Sequence, residues 1–186
     1  MNRPDSLPFT ADEEANRLLA SDPLALLIGM LLDQQFPMER AFLSPHLLRE
    51  RLGGLDAGAM ASMPEEELIA AFRGPPALHR FPDSMAKRCR DLCHAVVAGY
   101  EYPASIWRTA ADGPDLLRRL EALPGFGKAK ARIFVAVVGK RLGEGPPGWE
   151  EVAADWPSIA DVDSFDKVQE LRESKRASRE AGKGRR

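Results

Sequence analysis

The sequence predicts an all-α protein, and three observations lead to that prediction. Apolar residues recur at helical spacing along most of the 186-residue chain, no segment shows sustained period-2 alternation, and prolines, glycines and capping side chains divide the chain into short segments. We expect eight to ten short helices without an internal repeat. The 44% apolar content suffices for one core or for two small lobes that share an interface.

In the first half of the chain, each helix is predicted from its own start and stop signals. Thr10 is expected to cap the first helix. Asp22-Pro23 opens the second, "PLALLIGMLLDQQ", whose apolar residues face all sides and therefore predict burial. Three more helices are expected at "PMERAFLSPHLLRERLG", where Pro45 is a site for a kink or a break, at "PEEELIAAFR", and at "SMAKRCRDLCHAVVAGY", which Ser84 caps.

In the second half, helices are expected at "PASIWRTA", "PDLLRRLEA", "KAKARIFVAVVGKRLG" and roughly 164–180. The stretch 143–160 is rich in glycine and proline and predicts a long loop with one turn of helix. We divide the chain into a helical domain, residues 1–162, in which residues 116–142 form a hairpin, and a C-terminal helix with a basic tail, residues 163–186.

Composition and charge narrow the class of protein. No apolar run reaches the roughly 18–20 residues that span a bilayer, and the N-terminal sequence does not resemble a signal peptide. We therefore expect a cytoplasmic protein with no membrane partner. Residues 171–186 carry seven cations and two acids, a net charge of +5, which leaves −7 on the other 170 residues. This tail is either an electrostatic arm for phosphate or a solvated helix end.

Cys89 and Cys93 lie one helical turn apart, and His94 follows them. The group lacks the second pair of ligands that a zinc site usually needs. We expect ordinary helix cysteines in a reducing compartment and no metal site.

The stretch "LPGFGKAKA", residues 123–131, combines a tight turn with a cationic helix start. We expect two short helices to pack across the turn through two apolar faces, formed by Leu116, Leu120 and Leu123 before it and by Ala129, Ile133, Phe134 and Val137 after it. Pro124 fixes one backbone angle, while Gly125 and Gly127 permit positive φ and close approach of another molecule.

The start of the second helix is predicted to bind an anion. Its first backbone N–H groups have no partner within the helix. Lys128 and Lys130 lie beside them and oppose the helix dipole, so an anionic ligand would reverse the sign of that interaction. A nucleic-acid phosphate fits a protruding glycine turn with lysines. The alternative is a plain corner between two helices, in which the glycines only shape the turn.

Two segments resemble the helix-hairpin-helix DNA glycosylases of base-excision repair. "LPGFGKAKA" is similar to the family hairpin, L-P-G-[VI]-G-x-x-x-A, with Phe126 in place of Val or Ile. "LLIGMLLDQQFPMERA" is similar to the family's buried helix that ends in a glutamine pair. The resemblance covers roughly residues 21–142, and it implies two helical lobes with a cleft between them.

The resemblance also implies a partner and binding residues. The partner is double-stranded DNA, bound by a monomer in the cytoplasm at the nucleoid. Gln34 and Gln35 would wedge into the duplex or contact a strand while the damaged nucleotide is flipped into the cleft; alternatively they are a hydrogen-bonded helix end. Phosphate, with a monovalent cation on the hairpin carbonyls, would be held by Gly125, Phe126, Gly127, Lys128, Ala129 and Lys130.

The resemblance is weaker for catalysis. Members with lyase activity use a lysine two positions after the second hairpin glycine, where this chain has Ala129, so no lyase activity is implied. No iron–sulfur cluster is implied either, because the four clustered cysteines of such members are missing.

The family aspartate that stabilises charge at the sugar follows the hairpin by about 18–20 residues. The first matches here are later, at Asp161 and Asp163, and Asp163 is alternatively only a helix cap.

Three functions follow as hypotheses. The first is a monofunctional DNA glycosylase that hydrolyses the N-glycosidic bond of a damaged base, without a required cofactor. The second is a non-catalytic DNA-binding protein that retains the hairpin. The third is a helical protein-interaction domain in which the hairpin contacts no DNA.

Overall fold

The computed structural model describes residues 4–183, apart from the side chains at 179 and 181–183. Within that range the chain is helical and contains no β-strand, which confirms the predicted all-α class. It has eleven α-helices there, more than the eight to ten expected, because single-turn and two-turn helices also form. Residues 184–186 of the predicted basic tail lie outside the described residues.

The helices of the first half are α1 (Glu13–Ser21), α2 (Pro23–Leu32), α3 (Met38–Leu52), α4 (Ala57–Ser62), α5 (Glu65–Arg73) and α6 (Pro82–Gly99). Those of the second half are α7 (Ser105–Arg108), α8 (Gly113–Glu121), α9 (Lys128–Ala136), α10 (Trp149–Val152) and α11 (Phe165–Lys183). A π-helical turn, Val137–Arg141, continues α9, and a 3-10 turn, Ile159–Asp161, precedes α11.

The strongest start signal predicts its helix correctly. The Asp22 side chain accepts hydrogen bonds from the N–H groups of Leu24 and Ala25 at 2.9 and 3.3 Å. Every residue of α2 after Pro23 is buried, as its apolar sequence predicts. This helix therefore lies in the interior, and it packs against α1, α3 and α6.

Other local predictions need correction. Asp12, and not Thr10, caps α1, because its carboxylate accepts the Ala15 N–H at 2.8 Å. The helix α3 continues through Pro45 without a break. The helix α6 begins at Pro82, two residues before the expected Ser84 cap. The short helix α4 is capped by Asp56 and is absent from the sequence-based expectation.

One connected set of buried apolar side chains extends through the helices. In its second half, Trp107, Phe134 and Phe126 form a row of edge-to-face rings with centroids 5.8 Å apart at each step.

Between residues 4 and 183, no single helix is long and apolar enough to cross a bilayer; only the pair α1 and α2, bent by 113°, meets that criterion when its two helices are taken together.

The helices α8 and α9 pack against each other across a tight turn. Leu116, Leu120 and Leu123 are buried, as predicted. Ala129 is exposed, which contradicts its predicted place on the apolar face, and Ala131 is buried instead. Gly125 has φ +81°, as expected, but Gly127 has φ −71°, so only the first glycine needs the left-handed region.

We predict that Gly125→Ala destabilises the hairpin and that Gly127→Ala does not. An alanine at 125 would take a left-handed conformation that costs about 1–2 kcal/mol, and its Cβ would overlap the Leu31 side chain. A Cβ at 127 would meet nothing within 4 Å. Urea unfolding should therefore show a loss of at least about 1–2 kcal/mol for Gly125→Ala and a change within about 0.5 kcal/mol for Gly127→Ala. Equal losses would contradict the backbone argument.

Candidate nucleic-acid interface

A cleft of about 950 Å³ lies between the turn after α2, the start of α9 and one face of α11. Four residues that the sequence analysis singles out line it together: Gln34, Gln35, Ala129 and Lys130. The glutamine pair and the hairpin are almost a hundred residues apart in the chain. The fold therefore brings the two resemblance motifs to a single surface.

The glutamine turn is held by several contacts. The Gln34 amide nitrogen donates to the Leu31 carbonyl at 3.1 Å, and its amide oxygen accepts from Arg88 at 3.3 Å. Gln35 is exposed and has φ +52°, the only non-glycine residue with positive φ in the described chain. Such a backbone conformation persists only where the surroundings hold it, and it recurs at binding sites. Gln34 is thus partly a hydrogen-bonded helix end, whereas Gln35 projects from it.

The hairpin presents backbone and not its aromatic side chain. Gly127, Lys128 and Ala129 are exposed at the start of α9. Phe126 is only 3% exposed, and its ring packs against Phe134, so any contact that this residue makes with a phosphate involves its backbone alone. No side chain caps α9, so its first N–H groups remain available to an external acceptor.

The two hairpin lysines point in different directions. Lys130 enters the cleft, and its amine donates to the Leu31 carbonyl at 2.8 Å. Burial lowers the pKa of Lys130 from 10.5 to about 8, with Asp33 acting in the opposite direction and Arg88 in the same one. Lys128 is exposed and makes no ion pair with a described residue. Sequence reasoning placed both lysines beside the anion site, but only Lys128 projects outward.

The two predicted catalytic aspartates do not line the cleft. Asp161 accepts the Ser158 N–H in a capping box and pairs with Lys140 at 2.6 Å. Partial burial opposes ionisation, yet the hydrogen bonds from Lys140 and Ser158 leave its pKa below the usual value. Asp163 is exposed, and its hydrogen bond with Lys167 at 2.7 Å lowers its pKa. Both carboxylates have structural partners of their own.

The described acids that do line the cleft are Asp33, Glu173 and Glu180. Asp33 ends α2 directly before the glutamine pair and lies close enough to Lys130 to raise the pKa of its amine. Sequence reasoning missed Asp33, although it is part of the quoted "LLDQQ" motif. Its proximity to Lys130 depends on packing between distant segments, for which the local sequence gives no signal.

Residues outside the cleft have simpler roles. Cys89 and Cys93 are both buried, and a hydrogen bond with Cys93 together with burial raises the pKa of Cys89, so this thiol is poorly reactive. Among residues 4–183, no cluster of three or more His, Cys, Asp or Glu side chains is arranged to hold a metal ion. Phe81, 47% exposed, is one of few large apolar side chains at the described surface.

No protein-family model, no curated protein and no solved structure matches this chain. Its function is therefore inferred from its own residues.

We predict that the Lys130 amine titrates near pH 8. Reductive methylation with ¹³C-formaldehyde should give one dimethyl-lysine resonance with an apparent pKa of about 8; it should be absent from Lys130→Met and retained in Lys128→Met. Because the folded state binds this proton less tightly than the unfolded chain, the free energy of unfolding should rise between about pH 8 and 10.5, and Lys130→Met should remove that rise. Titration near 10.5 would show that the amine is solvated.

Proposed function

We propose that this protein binds duplex DNA through the start of α9 and the Gln34–Gln35 turn, and that it is a monofunctional DNA glycosylase of base-excision repair with a helix-hairpin-helix fold. One observation carries the proposal. An uncapped helix start with an outward lysine borders the same cleft as an exposed glutamine in a left-handed turn.

The start of α9 differs from other helix starts of the described chain in the charge of its first turn. The starts of α3, α5, α6, α7 and α10 also lack a side-chain cap, but four of these, all except α7, have an acid in the first turn, whereas α9 has none and begins with a lysine. Aspartates cap α1, α2, α4 and α8, and each carboxylate accepts N–H groups of the first turn. At α9 the capping residue is Gly127 and the first residue is Lys128. A cation there is unfavourable with the dipole of an empty helix end and favourable beside a bound phosphate. DNA backbone phosphate supplies that anion.

A monovalent cation on the hairpin carbonyls belongs to the same proposal. The Leu123 carbonyl accepts the Phe126 N–H at 3.1 Å and keeps a second lone pair for such an ion. The ion would add positive charge close to the phosphate without taking part in hydrolysis.

The cleft is large enough for an unstacked base. Ligand pockets commonly measure about 300–1,000 Å³, and this one is about 950 Å³. Enzymes that act on a base must extrude it from the duplex, and a side chain at the pocket edge fills the vacated space. Gln35 is exposed at that edge, on a backbone whose conformation is already fixed.

Hydrolysis of the glycosidic bond needs a carboxylate near the sugar. Asp33 lines the cleft, whereas Asp161 and Asp163 do not. In the proposed mechanism the Asp33 carboxylate stabilises developing positive charge on the sugar and orients water. The Lys130 amine hydrogen-bonds to Leu31 and keeps its place beside Asp33, so no strand cleavage is proposed.

We predict that Lys128→Glu weakens duplex binding by roughly tenfold and reduces the salt slope by about one unit or more. Arg49→Glu is the matched control, because Arg49 is also exposed and makes no ion pair with a described residue. It lies on α3 about 16 Å beyond Met38 at the cleft edge. Fluorescence anisotropy at several salt concentrations measures both variants. Equal binding by Lys128→Glu and wild type would favour the protein-interaction hypothesis.

We predict base release without strand scission from at least one damaged duplex. The substrates are duplexes with uracil, alkylated purines, 8-oxoguanine or mismatched adenine, and hot alkali reveals the abasic sites. Asp33→Asn should slow release by on the order of 100-fold or more, while Asp161→Asn and Asp163→Asn should retain it.

Borohydride trapping and circular dichroism complete this experiment. Trapping should give no covalent adduct; an adduct that Lys130→Met abolishes would show that Lys130 acts as a nucleophile. Circular dichroism checks that each variant folds. Tight binding without release from any duplex would favour the non-catalytic DNA-binding protein.

A further inference from the structure

His79 is a buried polar residue that the proposed function does not use. It lies in the loop between α5 and α6 and is 2% exposed. Its ring packs against Phe36, with centroids 4.7 Å apart. The ring therefore fills the space between this loop and the segment that follows the glutamine pair.

Both ring nitrogens of His79 are used. Nδ1 accepts the Phe81 backbone N–H at 3.0 Å, and Nε2 lies 3.0 Å from the Gln34 carbonyl. Because Nδ1 accepts a hydrogen bond, the neutral ring carries its proton on Nε2 and donates it to that carbonyl. One imidazole thus joins the backbone of the glutamine turn to the backbone at the start of α6.

The peptide that His79 holds is the one that sets the direction of Gln35. The Gln34 carbonyl belongs to the peptide unit that precedes Gln35, whose φ is +52°. A left-handed backbone at a non-glycine residue costs about 1–2 kcal/mol and needs external support. The side-chain contacts of Gln34 hold the residue before the turn, whereas the His79 bond holds the turn peptide itself.

Protonation of His79 would disturb this arrangement. A proton on Nδ1 removes the acceptor for the Phe81 N–H and places a positive charge in a buried site. While the ring stays in place, its Nε2–H still donates to the Gln34 carbonyl, so the turn is released when the charged ring leaves this site for water. The charged groups that act on the ring, Lys130 on α9 and Arg88 on α6, are both cations. Burial is the largest cause of the lowered pKa of His79, with smaller contributions from the two cations, while carbonyls of Gln34 and Leu32 act in the opposite direction. The turn should therefore be fully supported above pH 6.5. It should lose this support as the pH falls through the lowered pKa of His79, because the desolvated charge beside two cations drives the ring into water and breaks its bond to Gln34.

We propose that His79 is a positioning residue that holds Gln35 for contact with DNA, and that its protonation releases the turn. The proposal rests on the proposed DNA-binding function and adds to it a direction of pH dependence. Protonation of a surface histidine normally strengthens DNA binding by adding positive charge. Here protonation of a buried histidine should weaken it.

The test compares wild type with two variants that each keep one of the two hydrogen bonds. In His79→Gln, the amide nitrogen can still donate to the Gln34 carbonyl, whereas in His79→Asn the shorter side chain can accept only from Phe81. Neither side chain titrates. Duplex affinity is measured by anisotropy from about pH 7.5 down through the pH at which the His79 ring protonates in the free protein, since the pKa of His79 lies below 6.5. Circular dichroism checks the fold at each pH, and a ring that stays neutral until the fold is lost overturns the release by protonation. The chain has three histidines, so His46→Gln and His94→Gln are the matched controls.

As the pH falls through the midpoint of His79 protonation, the Kd of wild type relative to that of His79→Gln should rise by roughly threefold to tenfold, the equivalent of one lost hydrogen bond. At about pH 7.5, His79→Gln should bind like wild type and His79→Asn should bind several-fold more weakly. The Kd values of the controls, His46→Gln and His94→Gln, should change with pH as that of wild type does. A constant or falling ratio would overturn the proposal.

A second readout uses the free protein and does not depend on DNA. In ¹⁵N-resolved spectra of wild type, the Gln35 amide should shift with a midpoint below pH 6.5, towards its position in His79→Asn. If the chemical shift of the Gln35 amide does not change as His79 titrates, the positioning role is overturned even if the protein binds DNA. Absence of DNA binding at every pH value, with the amide titration present, overturns the proposed function but not the hydrogen bond by which His79 holds the turn.

Discussion

Leu31 near the end of α2 joins the buried helix to both proposed DNA-contacting segments. Its side chain occupies the space that a Cβ at Gly125 would need, and its carbonyl accepts the Lys130 amine and the Gln34 amide. The last carbonyls of a helix have no intrahelical partner and carry partial negative charge, so a cation and an amide donor are favourable there. The positions of the hairpin and the glutamine turn therefore depend on the burial of α2.

This interaction also explains the lysines at the start of α9. Their charge conflicts with the dipole of their own helix, but Lys130 extends to the opposite pole of another helix, the C-terminal end of α2. The Leu31 carbonyl thereby accepts a hydrogen bond from the charged amine inside the protein, and burial lowers the pKa of that amine. Lys128 has no such partner among the described residues and projects outward. One of the two lysines is structural, and the other is the better candidate for phosphate.

The sequence predicted best what neighbouring residues determine. The Asp22-Pro23 start, the burial of α2 and the left-handed Gly125 follow from local signals, and the structure agrees. It did not predict the inward direction of Lys130 or the hold of His79 on Gln34, because these bonds join residues 99 and 45 positions apart. The cleft acid was missed for the same reason. Asp33 is part of the quoted "LLDQQ" motif, but its proximity to Lys130 results from the bond that the Lys130 amine of α9 makes to the end of α2.

Part of the basic C-terminal segment lies on α11 beside the cleft. The body of the chain carries −7 and its last 16 residues +5, which would not by itself favour DNA. Yet α11 folds back along the cleft, where Arg172 pairs with Glu39 at 2.5 Å and Lys175 and Arg176 line the same wall. Lys130 of α9 thus lines the same cleft as cations of α11, together with the acids Asp33, Glu173 and Glu180. Since exposed charges are screened beyond about 8–10 Å in salt, a phosphate in this cleft would interact with the cations and the three acids of its wall more strongly than with the acids elsewhere in the chain.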